Sequence, residues 1–423
     1  MISLFLLGMA LLILLRAPVA VALGLPALVW LAATGIPLGI TTQRLFGTLN
    51  NSVLLAVPMF LLAGRLMNLL GVTEKIFEFA LAVIGRTRGG LGHVVVTASV
   101  IFSAMSGSAA ADAVGVGTIT VKAARERGYD PAFAAAITLV ASTLAPIIPP
   151  SIIMIIYGAT ANVSIGKLFV GGVVPGLMFA AILMISVSII ATRRGYPRGD
   201  AFSWRRLKTS FKRAFAVLMT PVLIIGGIFG GIFTPTEAAT VAVLYVLALG
   251  LYYRTMSFKS LYEEFVTTGA TVGVLMLVVA VSGVDGWVFT REQLPLLFME
   301  GVSGLVTAPW AVMFVLLGVV LLLGMFMDAT PIILMVTPVM MPLVQSVGID
   351  PIHFGVLFCI VCVIGLITPP VGVALYGVAT VSRLPMERIF WATLPYFFAL
   401  LAGVALMVFI PGIVTYVPNL LEW

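Results

Sequence analysis

The chain is a succession of long apolar runs, most of them long enough to cross a bilayer as a helix, separated by short polar stretches. The runs predict full crossings near residues 2–16, 18–41, 53–70, 131–160 and 168–191, then near 214–233, 237–253, 269–289, 351–381 and 389–412. Two more apolar stretches, 89–127 and 308–347, are interrupted midway by small or polar residues and read as re-entrant hairpins. The runs are continuous, whereas a membrane β-barrel shows short alternating segments, so the crossings are helical. Amphipathic stretches at 73–83 and 258–265 are expected to lie along the membrane interface. The expected fold is an all-α polytopic membrane protein with about ten crossing helices, two re-entrant hairpins and two broken helices.

Self-comparison adds a repeat to this picture. Gly128-Tyr129-Asp130-Pro131 matches Gly348-Ile349-Asp350-Pro351 at an offset of 220 residues, and Ile148-Pro149-Pro150 matches Thr368-Pro369-Pro370 at the same offset. Tyr157-Gly158 pairs with Tyr376-Gly377 one residue out of step, and Val174-Pro175 with Leu394-Pro395 back in register. Upstream, Ser108-Ala109-Ala110 aligns with Asp328-Ala329-Thr330. The halves therefore read as duplicates: 1–192 with hairpin 89–127 and broken helix 131–160, a linker at 193–213, and 214–423 with hairpin 308–347 and broken helix 351–381. With five crossings per half, the second copy is inverted.

Charge gives the orientation. Arg86 and Arg88 precede the first hairpin and Lys122, Arg125 and Arg127 follow it, whereas neither mouth of the second carries Lys or Arg. The linker holds eight basic residues and one acid. Placing both termini in the periplasm puts all but Arg44, Lys167 and Arg291 of the 23 basic residues at or near the cytoplasmic side of the inner membrane. Composition agrees with lipid as the main solvent: 61% of the 423 residues are hydrophobic, 9% are charged, and mean hydropathy is +1.20. The net charge of +7 reflects loops facing an anionic leaflet, not a nucleic-acid partner. Two histidines cannot make a metal cage, and Cys359 and Cys362 lie in one apolar run where packing is expected instead of redox chemistry. No phosphate-binding loop of ATPase type and no catalytic constellation is present, so neither an enzyme nor a pump is expected. The first apolar run lacks a basic n-region and is read as a crossing instead of a cleaved signal.

Candidate chemistry sits at the interruptions. The first hairpin turns at Ser106-Gly107-Ser108-Ala109-Ala110-Ala111-Asp112, where hydroxyls and unwound carbonyls can form a hard-oxygen cage for Na⁺. A tight small-residue helix contact is the bland alternative, made less attractive by the equivalent turn in the second half. That second turn, Met327-Asp328-Ala329-Thr330-Pro331, predicts a half-helix capped by Thr330 with Pro331 first. Asp328, expected to be buried, either caps it or balances a cation or substrate donor. The broken helices carry Pro146-Ile147-Ile148-Pro149-Pro150-Ser151 and Gly365-Leu366-Ile367-Thr368-Pro369-Pro370. Paired prolines remove donors and free carbonyls, tolerated at membrane depth only where protein or a water-filled cavity satisfies them. Asp112 reads as support for the first turn, Thr234-Pro235-Thr236-Glu237 as a capping box, and Asp285 is left undecided. No Lys or Arg lies at a turn or break in sequence, so an anionic solute needs its countercharge from bound Na⁺ and helix N-termini.

On these residues the sequence resembles the large membrane subunit of tripartite ATP-independent periplasmic (TRAP) transporters, along essentially the whole chain. The resemblance implies a Na⁺-coupled, elevator-type importer that takes an organic acid, such as a C4-dicarboxylate or sialic acid, from a periplasmic substrate-binding protein. It implies a small four-helix membrane subunit as partner, expected as a separate chain. It places Na⁺ ligands among Ser106, Gly107, Ser108, Pro149, Asp328, Thr330, Gly365 and Thr368, and substrate contacts at Ser108, Ser151 and Asp328. Na⁺ is the only cofactor expected. A stand-alone Na⁺/dicarboxylate symporter also has paired hairpins, but commonly with Ser-Asn-Thr at both tips, which this chain lacks. A channel would need rings of pore-lining charge or repeated filter carbonyls.

Overall fold

A computed structural model describes residues 1–420 except 16, 200 and 305. The described residues form helices and no β-strand. The first half runs α1 (Ile2–Leu14), α2 (Val19–Ala33), α3 (Gly39–Leu49), a short 3-10 turn (Ser52–Leu55), α4 (Ala56–Leu69) and α5 (Val72–Ile84). Then come the hairpin α6 (Gly90–Ser106) and α7 (Ala109–Glu126), the broken helix α8 (Pro131–Ser142) and α9 (Ile152–Ala161), and α10 (Ile165–Arg193). The second half runs α11 (Trp204–Phe229), α12 (Pro235–Tyr253), α13 (Phe258–Arg291) and α14 (Leu294–Ser303). It closes with the hairpin α15 (Pro309–Gly324) and α16 (Ala329–Ser346), the broken helix α17 (Pro351–Leu366) and α18 (Val373–Ser382), then α19 (Met386–Phe409) and α20 (Gly412–Leu420).

The local causes repeat with the sequence. Gly128 and Gly348 both adopt φ of 72°, a left-handed turn that glycine takes without steric cost. Two residues on, Asp130 and Asp350 cap α8 and α17, each accepting from the amide two positions ahead, with proline as the first helical residue. Both broken helices stop before a cis Pro-Pro pair, Pro149-Pro150 and Pro369-Pro370. Packing repeats too, with partners exchanged: α7 lies on α18 while α16 lies on α9, and α8 meets α19 while α17 meets α10. Such an exchange is what a two-fold relation between halves produces. The Tyr157 hydroxyl donates to the Pro351 carbonyl at 2.9 Å, tying one broken helix to the start of the other. Around α8 and α17, nearly every side chain is buried.

Among the described residues, seven helices are long and apolar enough to cross a bilayer: α4 with its 3-10 turn, α10, α11, α12, α13, α16 and α19. Six coincide with expected crossings, and α16 is the second arm of the second hairpin. Several boundaries differ from expectation. The stretch 18–41 divides, because Gly35 turns left-handed and Pro37 follows, so α2 ends at Ala33 and α3 begins anew. The amphipathic stretch 258–265 is not a separate surface helix; α13 continues through it for 34 residues from the Ser257 cap. The linker is half helical, since Ser203 caps α11 ahead of Trp204. Thr234 and Glu237 form the expected capping box, with Thr234 N donating to Glu237 Oε2 at 2.8 Å.

Candidate functional site

The first hairpin turn is built on Gly107, whose φ of 58° ends α6. A side chain there would meet the Pro150 carbonyl at 3.0 Å, so the turn abuts the break of α8–α9. The Ser106 hydroxyl donates to Asp112 Oδ1, closing the turn across to the first turn of α7. Asp112 is fully buried and its Oδ2 has no hydrogen-bond partner among the described residues. Ser108, half-buried, caps α7 by accepting from Ala111 N at 3.4 Å. Ser151 is fully buried; its hydroxyl donates to the Pro146 carbonyl at 2.6 Å and accepts from Met154 N at 3.3 Å. The carbonyls of Ile148, Pro149 and Pro150 accept no hydrogen bond among the described residues.

The second turn is knotted to its own break. The Met325 carbonyl accepts from Val371 N at 3.1 Å and Gly372 N at 3.4 Å. Thr368 donates its hydroxyl to the Ile364 carbonyl at 2.8 Å and its amide to the Gly365 carbonyl at 2.9 Å. Gly365 packs on Gly324, and a methyl on either would strike the other's backbone at 3.0 Å or less. The sequence reading of the cap is corrected here: Asp328, not Thr330, is the N-cap of α16, and its side chain makes no capping bond. Proline is tolerated throughout a first turn, where amides lack helical partners anyway, so Pro331 does not fix the start. The expectation that Asp328 is buried also fails. Its neighbours Met327, Ala329 and Thr330 are buried, whereas Asp328 itself is exposed.

The exposure around the two breaks is one-sided. Residues 145–151 of the first break are buried, whereas Pro370, Val371 and Val373 of the second are exposed, as are Ala111 and Val114 of α7 and Tyr376 of α18. The exposed faces of the packed helices α7 and α18 thus continue from the turn residues Ser108 and Asp328.

Sequence reasoning missed two features. α4 passes directly over the first turn: a methyl on Gly64 would sit 3.3 Å from the Met105 carbonyl and 3.5 Å from Ser106 Cα. The next residue, Arg65, carries a guanidinium inside an apolar helix, where charge is expensive and commonly functional. Its Nη2 donates to Thr271 Oγ1 at 3.0 Å, and its Nη1 lies 3.7 Å from Glu264 Oε2, both on α13. One third of the Arg65 side chain remains exposed, with donors to spare. The signal was visible, since Arg65 is the one charge in the run 53–70. The second feature is a neutral polar cavity of about 470 Å³, lined by Thr48, Asn50, Asn51, Thr160 and Ser282 among others, between α3, α9, α13 and α16. Asp285, undecided in the sequence, is buried on α13, and neither carboxylate oxygen has a hydrogen-bond partner. Among the described residues no group of three His, Cys, Asp or Glu could hold a metal ion, so a cation here depends on carbonyls, hydroxyls and single carboxylates.

Comparison with known proteins agrees with this architecture. Residues 6–413 match the family described as Tripartite ATP-independent periplasmic transporter, DctM component. The chain is 40% identical over 405 residues to the sialic acid TRAP transporter large permease protein SiaM of Vibrio cholerae, covering 95% of each. It is 40% identical over 381 residues to the sialic acid TRAP transporter permease protein SiaT of Haemophilus influenzae, covering 90% of this chain but only 62% of that one. The C4-dicarboxylate TRAP transporter large permease protein DctM of Pseudomonas aeruginosa is 38% identical over 377 residues, covering 89% and 88%. In fold alone, the chain resembles the YdaH transporter of Alcanivorax borkumensis, with a TM-score of 0.65 at 15% identity over 88% of both chains.

Proposed function

The chain belongs to the DctM-component family of tripartite ATP-independent periplasmic transporters, a transporter permease and not an enzyme, and from that premise we propose that it is the large subunit of a Na⁺-coupled importer of an organic acid. The observation that carries the reading is the duplicated pairing of a hairpin turn with a Pro-Pro break, Gly107 on Pro150 and Met325 on Val371 and Gly372. Each pairing gathers hydroxyls and uncommitted carbonyls, the hard donors that suit Na⁺. Ser106, Gly107, Ser108 and Pro149 would hold one ion, and Asp328, Thr330, Gly365 and Thr368 another. Bound there, Na⁺ supplies positive charge beside the solute's carboxylate.

This chain's own residues then orient the solute. Ser108, half-buried, and Asp328, exposed, offer a hydroxyl donor and a carboxylate acceptor. Arg65 adds a fixed guanidinium on α4, the countercharge that no residue of the turns provides. Ser151 belongs to the same reading but spends its hydroxyl on Pro146 in this arrangement, so contact with solute requires that bond to open. Elevator movement fits a glycine contact between α4 and the first hairpin, because Gly64 presents no side chain to obstruct sliding. The partners are a small four-helix membrane subunit and a periplasmic binding protein, in the inner membrane, with both termini periplasmic. The relatives named for sialic acid and C4-dicarboxylates point to a carboxylate solute. Reconstitution with the small subunit and binding protein, followed by an uptake screen of labelled acids and neutral sugars, tests the solute class. Accumulation of a carboxylate alone is expected; accumulation of a neutral sugar alone would reject it.

A further inference from the structure

A second polar site lies where the ends of α10 and α19 meet Asp130. Arg193, Arg194, Phe133, Trp391, Pro395 and Tyr396 line a cavity of about 130 Å³ there. Tyr396 is 1% exposed, yet its hydroxyl has no hydrogen-bond partner among the described residues. Native interiors leave few buried hydroxyls unpaired, so a donor of this kind at a cavity wall marks a place for an acceptor. The surrounding charge has the matching sign. Arg194 Nη1 lies 3.5 Å from both Asp130 Oδ2 and the Tyr196 hydroxyl, and Arg388 Nη2 lies 3.3 Å from Asp130 Oδ1. Arg193 is exposed and pairs with none of the described residues. Three guanidiniums thus gather at this end, Arg193 and Arg194 at the cavity wall and Arg388 beside them, with Arg194 and Arg388 both on the one carboxylate of Asp130.

Apolar surface leads away from this charged end along both helices. On α19, Trp391, Pro395 and Phe398 are exposed at helical spacing; on α10, Ile185 and Ile189 are exposed and the next position on that face is Arg193. A soluble anion has no use for two apolar stripes, whereas a lipid needs both parts. We propose that the cavity seats the phosphate of an anionic phospholipid, whose acyl chains lie along the groove between these stripes. The phosphate accepts from Tyr396 Oη and the Arg193 and Arg194 guanidiniums, while Trp391 sits at headgroup level. On the orientation proposed above, the lipid belongs to the cytoplasmic leaflet.

Tryptophan quenching tests this in vesicles of phosphatidylcholine doped with brominated phosphatidylglycerol or brominated phosphatidylcholine, with Trp391→Phe defining the Trp391 signal. The brominated phosphatidylglycerol is expected to bind at Trp391 about fivefold more tightly for each unneutralised arginine. Arg193→Gln should remove most of that preference, and Tyr396→Phe part of it, at unchanged melting temperature. Arg193 has no partner to lose, so its variant reads binding apart from folding. Equal quenching by the two lipids, or a preference that survives Arg193→Gln with Arg194→Gln, would overturn the proposal. So would reversal by excess inorganic phosphate, which assigns the pocket to a soluble anion, or loss on adding the small membrane subunit, which assigns the face to protein.

Discussion

Asp328 shows how far single residues could be read in advance. Its place at the second turn was legible, because a carboxylate beside Thr330-Pro331 in an apolar stretch has few uses. Its exposure was not legible, because that depends on which face of α16 is left uncovered by α9 and α17. The exposed position strengthens its assignment to cargo over capping, since it forms no capping bond. Asp328→Asn should insert normally yet weaken solute or Na⁺ binding about 5- to 150-fold, the equivalent of about 1–3 kcal/mol for a charge-assisted hydrogen bond. Uptake kinetics against solute and Na⁺ concentration will read this, and normal transport with unchanged Na⁺ dependence would reduce Asp328 to a cap. Ser106 and Asp112 present the reverse case, a pair whose importance is burial. Ser106→Ala leaves a fully buried carboxylate with no hydroxyl donor, at a cost of about 1–3 kcal/mol, and should lower the melting temperature as well as Na⁺ affinity. A melting temperature equal to the parent's would show that water or a cation already satisfies Asp112. Arg65→Gln should raise the solute concentration needed for half-maximal uptake while leaving Na⁺ dependence in place. An unchanged value would make Arg65 only a tie between α4 and α13.

Elements were legible wherever apolar period and punctuation coincide. Asp130-Pro131 and Asp350-Pro351 announced two helix starts, and the Pro-Pro pairs announced two breaks, all seen in the structure. Failures occurred where tertiary packing overrides local pattern. An amphipathic face at 258–265 is compatible with lying on a membrane, but it is equally compatible with the extended end of a long helix, and Glu264 uses it to reach Arg65. Close helix contacts through glycine were likewise hidden, because a glycine in sequence does not name its neighbour. The Gly324–Gly365 contact joins α15 to α17 and fixes the second turn over its break. Gly365→Ala would place a methyl 2.6 Å from Gly324 Cα, and the forced separation should cost about 1–3 kcal/mol. Thermal unfolding of the purified protein would check this; an unchanged melting temperature would mean the two helices can part freely.

At the scale of the whole molecule, duplication was legible from five landmarks in one order, four of them at the same offset, and the structure repeats the pattern in caps, turns and exchanged helix contacts. Sidedness follows from lysine and arginine placement and is read directly by labelling. Single cysteines at the exposed hairpin-mouth positions Arg127 and Ser346, in a chain lacking Cys359 and Cys362, should react from the cytoplasmic and periplasmic sides respectively. Labelling of both from one side would refute the inversion. The function proposed here rests on more than orientation, since it reads the paired turns and breaks as ion sites through which a gradient drives cargo. The most direct test is uptake into proteoliposomes holding this chain and its small subunit, with an inward Na⁺ gradient and solute-loaded binding protein outside. Accumulation should require both, and should collapse when Na⁺ is replaced by K⁺ or when the binding protein is omitted. Full-rate uptake without Na⁺, or without the binding protein, would contradict the account.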